Sequence, residues 1–183
     1  MSLDFWDIDD ILRGEESINC RFQTIGVGLG HLDALRAASG AKDLPKNSVL
    51  SLPVWLMVPL ARGGSIEPIL PDSYKQSMQN VLRKGAEGGR FRDKSVNYFQ
   101  VGLILSWLTS NKELASALFL GVLQRISFII DQSAHAHRTE ETDFMFMLTN
   151  FEQAIYLSGV CANEEFDLWR HGKLHEIKSL LDI

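Results

Sequence analysis

Cysteine is scarce in this chain. Cys20 and Cys161 are the only two in 183 residues, and they lie far apart without metal-site spacing. That count excludes a disulfide scaffold or a zinc ribbon, and two buried free thiols in a reducing compartment are expected in preference to one disulfide. Positive charge is in deficit. With 18 Lys and Arg against 23 Asp and Glu the net charge is −5 and the pI is near 5.5. A general nucleic-acid coat would be basic, so that class is disfavoured, although a local basic patch is not. Uninterrupted apolar runs are also missing. The most apolar stretch is broken by Gln124, Arg125 and Asp131 before the roughly 18 apolar residues of a membrane span accumulate. The opening MSLDFWDIDD is acidic and has no apolar core, so neither a secretory signal nor a transit peptide is expected there. There is no basic import run, G-x-S-x-G, P-loop, internal repeat or low-complexity segment. An intracellular, non-enzymatic protein is the expectation, with no cofactor.

What the chain does have is helix-forming sequence. Hydrophobic content of 45% with 22% charged residues is that of a globular domain, and the length suits one domain or a medium domain with a small appendage. Ser110 to His137 reads as one long helix of about 25 residues, roughly 37 Å, opened by a capping box of Ser110 and Glu113. Leu118, Val122, Ile126 and Ile129 share one side, with Ala115, Phe119, Leu123 and Ile130 beside them. That arc, through Val122, Ile126 and Ile129, is expected to face the chain's own core. Leu120 and Phe128 point the other way among Gln124, Ser127 and Asp131. A helix apolar on more than one side is buried on more than one side. Leu120, Gln124, Phe128 and Asp131 are therefore the suspected subunit interface.

Along the chain, residues 4–12 suggest a short helical element with Phe5, Ile8 and Leu12 on one face and Asp7 as a cap. Ile18 to Ile25 alternates like a half-buried strand, with Ile18, Cys20 and Phe22 on one face. Leu32 and Leu35 suggest a second short strand, Ser39 to Asn47 a loop, and Val49 to Leu52 another brief strand. From residue 53 on, every element reads as helical. Val54 to Ala61 forms an apolar helix kinked or stopped by Pro59. Another starts at Pro71-Asp72, carries Tyr74, Met78, Val81 and Leu82, and ends at Gly85. Asp93 caps one with Val96, Phe99, Leu103 and Trp107. Beyond the central helix, one begins at Thr139 and ends at Gly159, and a last one runs from Asn163 to Gly172. The expected fold is mainly α: a small β-rich domain, residues 1–52, then a larger helical bundle, residues 53–183.

Few residues suggest chemistry. Gly26-x-Gly28-x-Gly30 lacks the third glycine of a dinucleotide loop, and Asp33 stands in its place; turn glycines are the better reading. His135 and His137, and His171 and His175, have spacings a zinc site can use. The alternative reading as a small metal-dependent hydrolase rests on them, against solvated helix-end histidines. The acidic pairs Asp9-Asp10, Glu15-Glu16, Glu140-Glu141 and Glu164-Glu165 suit first helical turns or solvent better than a catalytic cleft. Arg83, Lys84, Arg90, Arg92 and Lys94 form a basic loop diluted by Glu87 and Asp93, with Phe91 in its middle. A solvated loop is expected, with contact to nucleic acid or an acidic partner as the alternative.

Five stretches fall in order across nearly the whole chain: Ile8-Asp9-Asp10-Ile11-Leu12, Leu52-Pro53-Val54-Trp55-Leu56, Leu70-Pro71 with Tyr74, Ile130-Asp131-Gln132-Ser133-Ala134, and Phe166-x-x-Trp169-x-x-Gly172. On these the chain resembles the third Psf-type subunits of the GINS complex, the four-subunit factor of eukaryotic DNA replication. Trp55, Phe166, Trp169 and Gly172 are the motif residues that carry the resemblance. It implies a β-rich B-type domain followed by a helical A-type domain, and a heterotetramer with the other three GINS subunits. It also implies a nuclear scaffold joined to the minichromosome-maintenance helicase ring and to cell-division-cycle protein forty-five in the replicative CMG helicase. ATP hydrolysis belongs to that ring, so the resemblance implies a subunit without catalysis, with at most indirect or weak DNA contact and no membrane. A helical adaptor outside replication remains the other non-enzymatic reading.

Overall fold

The structure, a computed structural model, describes residues 7–33, 37–38, 40–135 and 144–172. It is mainly helical with a small antiparallel sheet near its start. The chain divides into two compact units, residues 1–79 with 100–115 and residues 80–99 with 116–183.

In the first unit the sheet has three strands, β1 (Ser17–Phe22), β2 (Val49–Pro53) and β3 (Ile66–Pro68), in the order β2-β1-β3. The alternation of β1 is the one its sequence announces: Ile18, Cys20 and Phe22 are buried while Ser17, Asn19 and Arg21 face out. Burial pushes the Cys20 thiol up to about 11, so it stays protonated at neutral pH. β1 pairs Ser17 with Pro53 and Arg21 with Val49 on one side, and Cys20 with Pro68 and Phe22 with Ile66 on the other. Here the expectation of helices alone after residue 53 fails. A three-residue strand is too short to display a period, and Pro68 closes it at the sheet edge, where no donor is needed. Leu32 also departs from expectation, lying in a single 3₁₀ turn, Gly30–Leu32; Leu35 and Phe5 lie outside the described residues. Gly30 is required by contact, since an added Cβ would stand 2.0 Å from the Ala41 carbonyl oxygen.

Helix α1 (Ile8–Gly14) is capped by Asp7, whose carboxylate accepts from the Asp9 N–H at 3.0 Å. Helix α2 (Val54–Arg62) continues past Pro59, so the proline does not stop it. Pro59 offers no N–H to the Trp55 carbonyl, and the helix ends instead at Gly63 and Gly64, the latter at φ 70°. A 3₁₀ turn at Asp72–Tyr74 precedes α3 (Gln76–Lys84).

Helix α4 (Tyr98–Leu108) starts later than Asp93 and ends with Ser110 at φ 52°. Asn111 N–H then reaches back to the Ser106 carbonyl at 2.9 Å, the six-to-one bond of a Schellman closure. That use of Ser110 displaces the expected Ser110–Glu113 box. Asn111 is the cap of α5 (Lys112–Ala134), its side chain accepting from the Leu114 N–H at 3.0 Å. By length and composition α5 is apolar enough to cross a membrane. One side of it is buried, along Leu114, Ala117, Leu118, Arg125 and Ile129. Val122 and Ile126, expected at the centre of the core face, are only half-buried, and Phe119, Leu123 and Ile130 are exposed.

The last described helix, α6 (Asn150–Arg170), corrects two readings at once. It begins at a capping box of Thr149 and Glu152 and passes through both Gly159, expected as a stop, and Asn163, expected as a cap. Gly159 serves packing instead: a Cβ there would sit 2.3 Å from Ser133 Oγ and 2.8 Å from Ser133 Cβ on α5. The Asn163 amide donates to the Ser133 carbonyl at 3.1 Å. Thr139, the expected start of the earlier helix, lies outside the described residues. Ile129, Leu148 and Tyr156 form a buried cluster between these helices, with Phe144, Ile155 and Val160 against it.

Candidate interaction surfaces

The most tightly built polar site is internal. Arg125 lies on the buried side of α5, seven residues after Leu118 and four before Ile129, and is itself buried. Its Nε and Nη2 grip the two carboxylate oxygens of buried Glu152, the Nη2 bond being 3.2 Å. Its Nη1 donates to the carbonyls of Ala86, Glu87 and Gly89 at 2.9, 3.1 and 2.8 Å. Glu152 Oε2 also accepts from the N–H and the hydroxyl of Thr149, both at 2.9 Å. One carboxylate thus caps α6 and neutralises an arginine that holds the segment before α4. A buried charge costs little only when paired and hydrogen-bonded in this way.

This corrects the solvated-loop reading of the Arg83–Lys94 cluster at Ala86, Phe91 and Arg92 only. Ala86 and Phe91 are buried; Phe91 packs on Tyr98 and Phe99 at ring distances of 4.9 and 5.4 Å, with the Arg125 guanidinium 5.1 Å from its centre. Burial raises the Tyr98 hydroxyl well above its ordinary value. Arg92 donates to the Leu148 carbonyl at 2.8 Å and Gln124 accepts from the Ala86 N–H at 3.1 Å. Of the basic cluster, Arg83, Lys84, Arg90 and Lys94 remain exposed.

The suspected interface residues divide. Leu120 and Asp131 are exposed, whereas Gln124 and Phe128 are half-buried with partners in their own chain: Gln124 on the Ala86 segment, Phe128 against the Phe144 ring at 5.9 Å. The larger open apolar face of α5 is Phe119 (61% exposed), Leu123 and Ile130, which recur every four or seven residues. Phe166 and Trp169 lie exposed near the end of α6 with ring centres 5.7 Å apart, and Gly172, at φ 69°, follows that helix's end.

A groove of about 440 Å³ opens in the first unit. Val54 and Ile104 are buried at its floor, Trp55 and Trp107 stand half-exposed in its walls, and Leu103 and Pro59 complete the apolar lining. Leu103 and Trp107 share a helical face, but that face looks into this groove and not into the core. Arg13 and Arg62 are its charged lining residues.

The histidines do not converge. His135 Nδ1 lies 2.8 Å from the Asp131 carbonyl and His171 Nδ1 2.7 Å from that of Asp167, each folded on its own helix end. His137 and His175, like Glu140 and Glu141, lie outside the described residues. Among the described residues no three His, Cys, Asp or Glu side chains gather as a metal site, and nothing supports the hydrolase alternative. Glu164 and Glu165 stand within α6, not in a first turn. The cysteines also divide: Cys20 is buried, but Cys161 is exposed.

Comparison with known proteins adds a similarity. The model of the PSF3 N-terminal domain matches residues 6–62. A probable DNA replication complex GINS protein PSF3 of Dictyostelium discoideum is 26% identical over 177 residues, covering 96% of this chain and 65% of its own length. The DNA replication complex GINS protein PSF3 of Candida albicans is 27% identical over 179 residues, covering 92% of this chain and 98% of its own. That of Homo sapiens is 25% identical over 181 residues, covering 94% and 83%.

Proposed function

We propose, from its similarity to the PSF3 proteins of the GINS complex, that the chain is a non-catalytic structural subunit of a GINS complex acting in DNA replication. The reading includes a heterotetramer with the other three GINS subunits. It also includes nuclear residence and a place in the replicative CMG helicase beside the minichromosome-maintenance ring and cell-division-cycle protein forty-five. Residues 1–52 are assigned to the B-type part and 53–183 to the A-type part, with β3 pairing across that boundary. The observation that carries the proposal is similarity along nearly the whole chain, 92–96% of it in the Candida and Dictyostelium relatives. The exposed apolar residues of α5 support it, because side chains of this kind repeated along one helix suit a protein interface.

We place a subunit contact at Leu120 with Phe119 and Leu123, and a second at Phe166 and Trp169. Of the suspected interface set, Gln124 and Phe128 then act by shaping that face, and Asp131 at its rim. The test is co-expression with the other three subunits of the same organism and sizing of the product. A 1:1:1:1 particle is expected, and Leu120→Glu with Leu123→Glu should release at least one subunit while helical circular dichroism is kept. Failure of the unaltered chain to co-purify with any of the three would sink the proposal.

A further inference from the structure

The groove of the first unit is apolar at its floor and cationic in part of its lining, and its cations are incompletely engaged. Arg62 is exposed, with its guanidinium 4.6 Å from the centre of the Trp107 ring, and among the described residues no carboxylate lies within ion-pair distance of it. Arg13, on the neighbouring α1, pairs with Asp10 through Nη2, but its Nε is buried with no hydrogen-bond partner among the described residues. Its side chain is only 11% exposed, so that donor is not satisfied by bulk water. Trp55 and Trp107 are about half exposed, 50% and 55%. Tryptophan and arginine around an apolar pocket are the residue types that dominate protein-interface energetics. The volume falls in the range that holds a small compact ligand, enough for about two or three aliphatic or aromatic side chains.

We propose that this groove, lined by Arg13, Trp55, Arg62, Leu103 and Trp107, docks an acidic amphipathic segment of a protein partner. Apolar side chains of the segment fill the space between the tryptophans. A flanking carboxylate accepts from the exposed Arg62 guanidinium. Charge complementarity selects this occupant. A basic segment would set a second cation against Arg62, and a neutral one would leave its charge unanswered. The inference goes beyond the assembly reading, because it rests on the geometry of the first unit alone and its probe is a peptide.

The test uses the full chain and a short fluorescent peptide with Leu and Phe at helical spacing and Asp and Glu between them. Its isomer with Lys in place of the acids is the control, and binding is read by anisotropy. The acidic peptide should bind and the basic isomer should not. Arg62→Glu should weaken the acidic peptide by about tenfold or more and admit the basic one, and added salt should weaken the unaltered pair. Trp107→Ala should weaken either combination. Arg62→Gln, which removes charge without reversing it, should fall between. Equal binding of the two peptides, no binding of either, or indifference of the acidic peptide to Arg62→Glu overturns the proposal. So does displacement of the peptide by oligothymidine that depends on Arg62, which would assign the groove to single-stranded nucleic acid.

Discussion

Among the described residues two arginines lie over aromatic rings, and their surroundings are opposite. Arg125 is 5.1 Å from the Phe91 ring centre, is buried, and spends its donors on Glu152 and on three backbone carbonyls. Arg62 is 4.6 Å from the Trp107 ring centre and exposed. The ring contact is common to both, so it cannot be what separates scaffold from reader. What separates them is whether the guanidinium's hydrogen bonds are made within the chain. An arginine satisfied internally fixes a conformation, and one left unsatisfied beside an apolar groove is available to something else.

The contrast is most strongly tested at Arg125. Arg125→Met should destabilise the chain by about 3–5 kcal/mol, because it leaves the Glu152 carboxylate buried without a counter-charge. Urea unfolding measures this, and limited proteolysis should begin to cut at residues 85–92, whose carbonyls lose their common donor. A loss below about 1 kcal/mol would mean the ion pair is incidental. The same second unit should also resist added volume. Gly159→Ala is expected to cost about 1–3 kcal/mol, against the roughly 1 kcal/mol that alanine usually gains over glycine within a helix. Ser133→Gly in the same chain should recover part of the loss, and a stabilised Gly159→Ala single variant would show that the α5–α6 contact is loose. The smallest effect belongs to the exposed arginine. Arg62→Met should change stability by no more than about 0.5 kcal/mol, read in the same urea experiment. A larger loss would place Arg62 with Arg125 among the structural residues and erase the distinction.

These differences also mark what a sequence can disclose. The inward set of β1 was legible, because Ile18, Cys20 and Phe22 alternate over enough residues to fix a face. Helix α5 was legible as an element, but the direction it faces was not. Its apolar residues cover more than one side, and only tertiary contact decides that Ile129 is buried while Ile130 is open. Arg125 carried a readable signal in its spacing from Leu118 and Ile129, yet a single charge in such a row looks like an interruption until its partner, 27 positions on, is known. Gly159 was misread because one residue type serves two needs. Turn and close approach look alike in sequence, and only the nearness of Ser133 tells them apart. The groove was invisible for the same reason: Trp55 and Trp107 stand on separate helices, and no local pattern connects them.

The position of β1 between β2 and β3 bears on how the chain can be cut. The family match stops at residue 62, four residues before β3 begins. A fragment ended there keeps β1 bonded to β2 but strips the strand that covers Cys20 to Phe22 on the other side. Asn19, Arg21 and Gln23, whose backbone groups turn to that side, would present bare N–H and C=O groups beside the apolar side chains of Cys20 and Phe22. An open edge of that kind is a template for pairing with a second copy of itself. The short strand Ile66–Pro68 is in this sense a guard against self-aggregation, and Pro68, which has no N–H to offer a further strand, helps to blunt the edge it leaves.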